Sequence, residues 1–195
     1  MTSQWRLNTG RLVLSPVGWE HIGAITALKS DPLVYGQMLG GVRGPVLAAH
    51  ELAEDLAFWA RHGVGMWIAH PAAGGPAPAG NGGEAIGLTG IHERTDGRGI
   101  ALRFAFHPAS RGQGLAREAA GAALRFAHDH ANLPRVVAVS KESNIASRTV
   151  LGAIGMRPCE TFDRAGEPMV MYESIVPRGS KTDGGGTNAR QQPRR

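Results

Sequence analysis

The sequence predicts a mixed α/β (α+β) domain: one mostly antiparallel sheet of about six to seven strands, flanked by about four helices. Three observations carry that expectation. Apolar residues recur at helical spacing in four segments. Short β-branched or alternating runs separate them in the order strand, two helices, three strands, helix, strand, helix, two strands. The chain has 195 residues, 42% of them hydrophobic, which fits one core and one domain over residues 1–176.

The first strand covers residues 11–14, Arg-Leu-Val-Leu. Trp19, Ile22, Ile25 and Leu28 then form a helical stripe over residues 19–29, stopped by Ser30-Asp31-Pro32. A second helix spans residues 46–62, with Leu52, Leu56 and Trp59 on its apolar face, and Gly63-Val64-Gly65 breaks it. Residues 66–69 are a strand. Residues 71–83 repeat Pro, Ala and Gly and read as a flexible hairpin loop. Strands follow at 85–93 and 100–106, the latter with Leu102, Phe104 and Phe106 alternating. The long helix at 114–130 carries Leu115, Ala119, Ala122, Ala123 and Phe126 on its buried side. Its many alanines predict close approach to the sheet. Residues 135–140 are a β-branched strand, 144–154 a helix ended by Gly155, and 157–163 and 169–176 a final strand pair.

Several function classes are excluded or weakened. No run of about 18 apolar residues exists, so no helix spans a membrane. The N-terminus lacks the basic-then-apolar pattern of a secretory signal. One cysteine, Cys159, makes neither an internal disulfide nor a thiolate metal site, so no metal is expected and the cytoplasm is the default home. The net charge of +5 suggests nucleic acid, but Arg178, Lys181, Arg190, Arg194 and Arg195 against Asp183 put most of it in residues 177–195. That Gly-rich, apolar-poor tail is expected to be disordered, which argues against nucleic acid as a partner.

The strongest chemical signal is Phe106-His107-Pro108-Ala109-Ser110-Arg111-Gly112-Gln113-Gly114-Leu115-Ala116, where a strand hands over to a helix. The first N–H groups of a helix lack internal partners and carry partial positive charge, so a phosphate sits well there. Gly112 and Gly114 keep side chains away, and Arg111 adds a charge. The glycines alone are equally compatible with a plain turn. Neither a P-loop nor the dinucleotide fingerprint matches.

Here the chain resembles the GNAT acetyltransferase superfamily, whose coenzyme A loop has the pattern Arg-x-x-Gly-x-Ala. Four further segments resemble it in the right order over residues 9–175: Thr9-Gly10-Arg11-Leu12-Val13-Leu14-Ser15-Pro16, Ser30-Asp31-Pro32, Ile86-Gly87-Leu88-Thr89-Gly90-Ile91, and Asn144-Ile145-Ala146-Ser147-Arg148-Thr149-Val150-Leu151 through Gly155-Met156. The set is most similar to the RimJ/RimL-like branch, the ribosomal-protein-alanine acetyltransferases. The resemblance implies acetyl-CoA as co-substrate and an amine acceptor. It implies that the backbone of Phe104, Ala105 and Phe106 pairs with pantetheine. Arg111, Gly112, Gln113, Gly114, Leu115 and Ala116 would hold the pyrophosphate. Asn144 would bond the pantetheine or cap the helix it opens, with Ser143 an equal candidate cap, and Ser147 would contact the coenzyme or lie near its sulfur. A homodimer is left open.

The family's acid and base do not carry over. Ala101 stands where the branch often has a glutamate, and Leu151 where many relatives have a tyrosine. His92 and Glu93 are the nearest replacements for the base, against a solvated strand end. Arg103 shares a face with Ala101 and either selects an acidic acceptor or is an exposed strand arginine. His107 is expected to pack or cap at the loop. Two readings compete with an N-acetyltransferase: a coenzyme A-binding module with little catalysis, suggested by Ala101 and Leu151, and a nucleic-acid-associated protein, suggested only by the tail.

Overall fold

The computed structural model describes residues 5–73 and 84–176. The elements in chain order are β1 (Leu7–Asn8), β2 (Leu12–Pro16), α1 (Ile22–Ser30), α2 (Pro32–Tyr35), α3 (Pro45–His62), β3 (Met66–Pro71), β4 (Gly87–Glu93), β5 (Ile100–Phe106), α4 (Leu115–Asp129), β6 (Arg135–Lys141), α5 (Ile145–Ala153), β7 (Arg157–Arg164) and β8 (Glu167–Ile175). Eight strands form one sheet in the order β1-β2-β3-β4-β5-β6-β8-β7. Each neighbouring pair is antiparallel except β5 and β6, which run parallel.

The sheet and the four main helices match the expectation. The differences are two short elements, β1 and α2, too brief to show a period. Ser30-Asp31-Pro32 does not simply stop a helix. Asp31 accepts a hydrogen bond from Leu33 N–H at 2.8 Å, and Pro32 opens α2 at once. The predicted stripe at residues 19–29 also begins late: Trp19 lies in a 3-10 turn and is 53% exposed, while Ile25 and Leu28 are buried. β3 runs two residues past the expected end, to Pro71. The rest of the predicted loop, residues 74–83, and the tail at 177–195 lie outside the described residues.

The core joins helix to sheet through aromatic residues. Trp59 of α3 stacks on Trp5 at 5.5 Å and meets Trp67 of β3 edge-on at 4.9 Å; Trp67 in turn meets Phe126 of α4. The indole N–H groups donate to the carbonyls of Met66 and Trp5, so their burial leaves no polar group unpaired. The alanines expected on the buried side of α4, Ala119, Ala122 and Ala123, are buried, and Ala120 and Ala127 are buried with them as the helix lies along β4 and β5. β7 ends the sheet at one side, nearly all exposed, with an irregularity between Pro158 and Glu160.

Candidate active site

β5 and β6 touch at one register pair, Ala101 with Val137. From Leu102 onward the strands part, while β4 still pairs with the other edge of β5 as far as Phe106. A splayed pair of this kind leaves backbone N–H and C=O groups without a strand partner, and a buried backbone group needs one. The gap opens into a cavity of about 930 Å³. Phe104 of β5, Val139 of β6, Asn144, Ser147 and Leu151 of the α5 region, residues of α3 and the end of β4 line it.

The helix after β5 begins without a side-chain cap. Its N-cap is Gly114, and the first bond to it comes from Glu118 N–H. Among the described residues the N–H groups of Leu115, Ala116 and Arg117 make no hydrogen bond. Gly112 and Gly114 both have φ of 73°, a left-handed conformation natural to glycine. A Cβ at Gly112 would meet nothing, so the space above the loop is open. Arg111 lies beside it, its guanidinium donating to the Leu33 carbonyl.

The loop is held from below. Glu118, in the first turn of α4, points back to the start of β2. It accepts from the Thr9 hydroxyl at 2.5 Å, from Arg11 N–H at 2.8 Å and from Arg11 Nε at 2.7 Å. Arg11 Nη1 donates onward to the Gln113 carbonyl at 2.7 Å. Burial alone would raise the Glu118 pKa, but these donors outweigh it and hold the group below the ordinary carboxylate range. His107 accepts from Ala109 N–H and so caps the turn at Pro108–Ser110. The Thr9 and Arg11 segment is therefore tied to the turn before α4.

A cluster of charged side chains lies at the cavity. Lys29 Nζ and Arg43 Nε bind Glu51 at 2.7 and 2.6 Å, and Arg103 Nη2 reaches Asp55 at 3.3 Å. Burial, then the charge of Arg103, lowers the Lys29 pKa; burial raises that of Asp55. Arg103 is thus a buried strand arginine, not an exposed one. His92 shares its face, because Ala101 pairs with His92 and Arg103 with Gly90. His92 Nδ1 lies 3.0 Å from the Glu93 carbonyl, which only accepts; Nδ1 therefore carries the proton and Nε2 the lone pair. Burial and the Arg103 charge push the His92 pKa down to about 3, so the ring is neutral near pH 7.

Residues 11–157 match the family model of the acetyltransferase (GNAT) domain. The chain belongs to the GNAT acetyltransferase family. GNAT enzymes use acetyl-CoA. Similar solved structures agree in fold. An acetyltransferase from Agrobacterium tumefaciens str. C58 is 25% identical, with a TM-score of 0.73 over 90% of this chain and 97% of that one. A RimL ribosomal L7/L12 α-N-protein acetyltransferase in complex with coenzyme A is 14% identical, with a TM-score of 0.69 over 88% and 98%. A ribosomal-protein-S5-alanine acetyltransferase from Vibrio fischeri is 13% identical, with a TM-score of 0.68 over 87% and 96%.

Within this GNAT fold the residues singled out from sequence fall in two groups. His92, Glu93, Phe104, Asn144 and Ser147 border the cavity, while Arg111, Gly112, Gln113 and Gly114 form the turn into α4 and Leu115 and Ala116 open that helix; Ala105 and Phe106, the other two β5 residues singled out, are buried and do not line the cavity. Asn144 is the N-cap of α5, its Oδ1 accepting from Ser147 N–H at 3.1 Å, and Ser143 is not the cap. The side chain of Glu93 is 63% exposed, 3.8 Å from Arg61. Ala101 is buried in a small apolar cluster with Val137 and Met171, and Leu151 is buried at the cavity wall. Sequence reasoning missed Tyr35, Glu51, Asp55 and Glu118, whose partners lie far off along the chain. No helix of the described residues is long and apolar enough to cross a membrane.

Proposed function

We propose that this chain is an acetyl-CoA-dependent N-acetyltransferase acting on a primary amine by direct attack. One observation carries the reading: β5 splays from β6 beside a cavity that His92 also lines, and the same strand leads on to the uncapped N-terminus of α4. The residues fit the co-substrate. The free N–H groups of Leu115, Ala116 and Arg117, with Arg111, suit a pyrophosphate. The open edge of β5 around Phe104, Ala105 and Phe106 suits the amides of pantetheine, as a further strand would. Acetyl-CoA, when bound, supplies the acetyl group as a thioester.

The chain's own groups divide the remaining work. The acceptor must arrive as a neutral amine. His92 Nε2 accepts a hydrogen bond from its N–H and aims the lone pair. With a pKa of about 3 it does not keep the proton, so Glu93, exposed at the rim, passes it to solvent. A new C–N bond forms, the C–S bond breaks, and Ser147, in the first turn of α5, donates toward the departing sulfur. A backbone N–H at the open edge of β5 stabilises the oxyanion. A protein N-terminus is one such amine, the acceptor named for the RimL-type structure, and small-molecule amines are the other class.

The test is thiol release from acetyl-CoA across a panel of amines and peptides. Amine-dependent release, with mass-identified N-acetyl product, is the expected result. The second reading, a coenzyme A-binding module of little activity, is favoured by Ala101 and Leu151 in place of the usual acid and base. It predicts coenzyme binding by calorimetry with no amine-dependent release.

A further inference from the structure

The buried charges beside the cavity do not balance. Lys29, Arg43 and Arg103 are 1%, 11% and 14% exposed in their side chains; Glu51 and Asp55, at 15% and 8%, are the carboxylates bound to them. Glu51 is shared by two of the cations, and Arg103 has only Asp55, through one nitrogen at long distances of 3.3 and 3.4 Å. A guanidinium has five N–H donors in a planar fork. Here Nε is buried with no acceptor at all, and so is the Tyr35 hydroxyl. Unsatisfied buried donors destabilise a fold unless a ligand or ordered water completes them. Arg103 borders the cavity, on the sheet face that carries His92.

Resting on the transferase reading above, we propose that the acceptor is an amine that also carries a carboxylate, and that Arg103 receives that carboxylate. This third carboxylate brings the cluster to three cations against three anions. It also gives the guanidinium the acceptor that Asp55 alone does not provide. His92 lies on the same face at the neighbouring strand, so one small molecule or one acidic peptide end spans both groups. Glu51 stays with Lys29 and Arg43, and Asp55 steers the fork.

Matched probes test this: the α-amides of aspartate and glutamate against those of asparagine and glutamine, and 4-aminobutyrate against its amide. Each pair differs by one carboxylate at nearly constant shape. Wild-type protein is expected to show kcat/KM at least about tenfold higher for each acid, the size of one good charge-assisted contact. In coenzyme A-bound protein, which cannot turn over, the acids should raise the melting temperature more than the amides. Arg103→Gln should abolish both differences and leave coenzyme A affinity intact. Should that variant unfold, Asp55→Asn carries the test with the opposite sign: it frees Nη2 and should strengthen the preference for acids. Acids and amides alike in both rate and melting shift would overturn the proposal while leaving the transferase standing. Acid-specific melting shifts without transfer to any amine would support it and remove the transferase reading.

Discussion

Replacing Glu118 by Ala separates the support of the proposed coenzyme loop from the loop itself. The carboxylate is 19% exposed and accepts three hydrogen bonds, two of them from Arg11 and one from Thr9. Charge-assisted bonds of this kind contribute roughly 1.5–3 kcal/mol each when well buried. Arg11 is 39% exposed, so solvent screens part of its share. The expected loss of stability is about 2–3 kcal/mol in all, read from urea midpoints at constant m. A second effect should appear in binding. Arg11 Nη1 holds the Gln113 carbonyl, one residue before the helix cap. Without Glu118 that guanidinium swings free, and the amides of the α4 N-terminus lose their preset positions. Coenzyme A affinity should fall about tenfold, or about 1.4 kcal/mol, by calorimetry. Acid titration adds a check. The folded pKa of Glu118 lies below its unfolded value, so its contribution is complete above the unfolded pKa and fades as pH falls through the folded one. Wild type and Glu118→Gln should therefore converge in stability at acid pH. Loss of stability with unchanged coenzyme affinity would refute the claim that this clamp positions the loop.

Three further outcomes are expected. Arg111→Ala should lower coenzyme A affinity by roughly 1–3 kcal/mol and barely affect a pantetheine fragment that lacks the pyrophosphate; equal losses for both, by calorimetry, would take Arg111 away from the phosphates. His92 is held near 3 against an ordinary 6.5, so the unfolded chain takes a proton that the fold refuses, and stability drops as pH falls below about 6.5, by at most ~1.4 kcal/mol per pH unit. His92→Gln should flatten that slope in thermal melts, and profiles parallel to wild type would show that His92 titrates normally. Restoring the family's carboxylate with Ala101→Glu should destabilise by about 3 kcal/mol, because it buries the charge among Val137 and Met171; an undiminished melting temperature would place that side chain in the cavity instead.

The parts legible in the sequence are those written in local pattern. The α4 stripe, the β-branched run of β6 and the Gly112 and Gly114 turn each state their place in the fold within a few residues. Gly114 shows the limit of that reading. Its spacing suggested only room for a ligand, whereas its φ of 73° makes a β-branched substitute strained as well as obstructive. A Gly114→Val change would therefore lower stability and binding together. The buried cluster was not legible because Lys29, Glu51, Asp55 and Arg103 come from α1, α3 and β5, and each looks like an ordinary surface charge in its own segment. Arg103 shared a strand face with Ala101 in the sequence; that α3 covers that face depends on tertiary packing. Glu118 was hidden in the same way, as an acid in a first helical turn that turns away from the helix dipole toward Thr9 and Arg11.

The ends of the sheet have a consequence for how the molecule meets its neighbours. Unpaired strand edges invite another chain to add on, the usual start of fibrous assembly. At one end β1 offers two residues, Leu7 and Asn8. At the other, β7 is longer but carries Pro158, which lacks an N–H, a register shift beside it, and Arg157, Glu160, Asp163 and Arg164 along its exposed length. The hairpin also places apolar β8, with Met169, Val170 and Met171 buried, inside the sheet and leaves the charged partner outside. Reversing the two strands would present an aggregation-prone edge; the order found presents one that a copy of itself pairs with poorly.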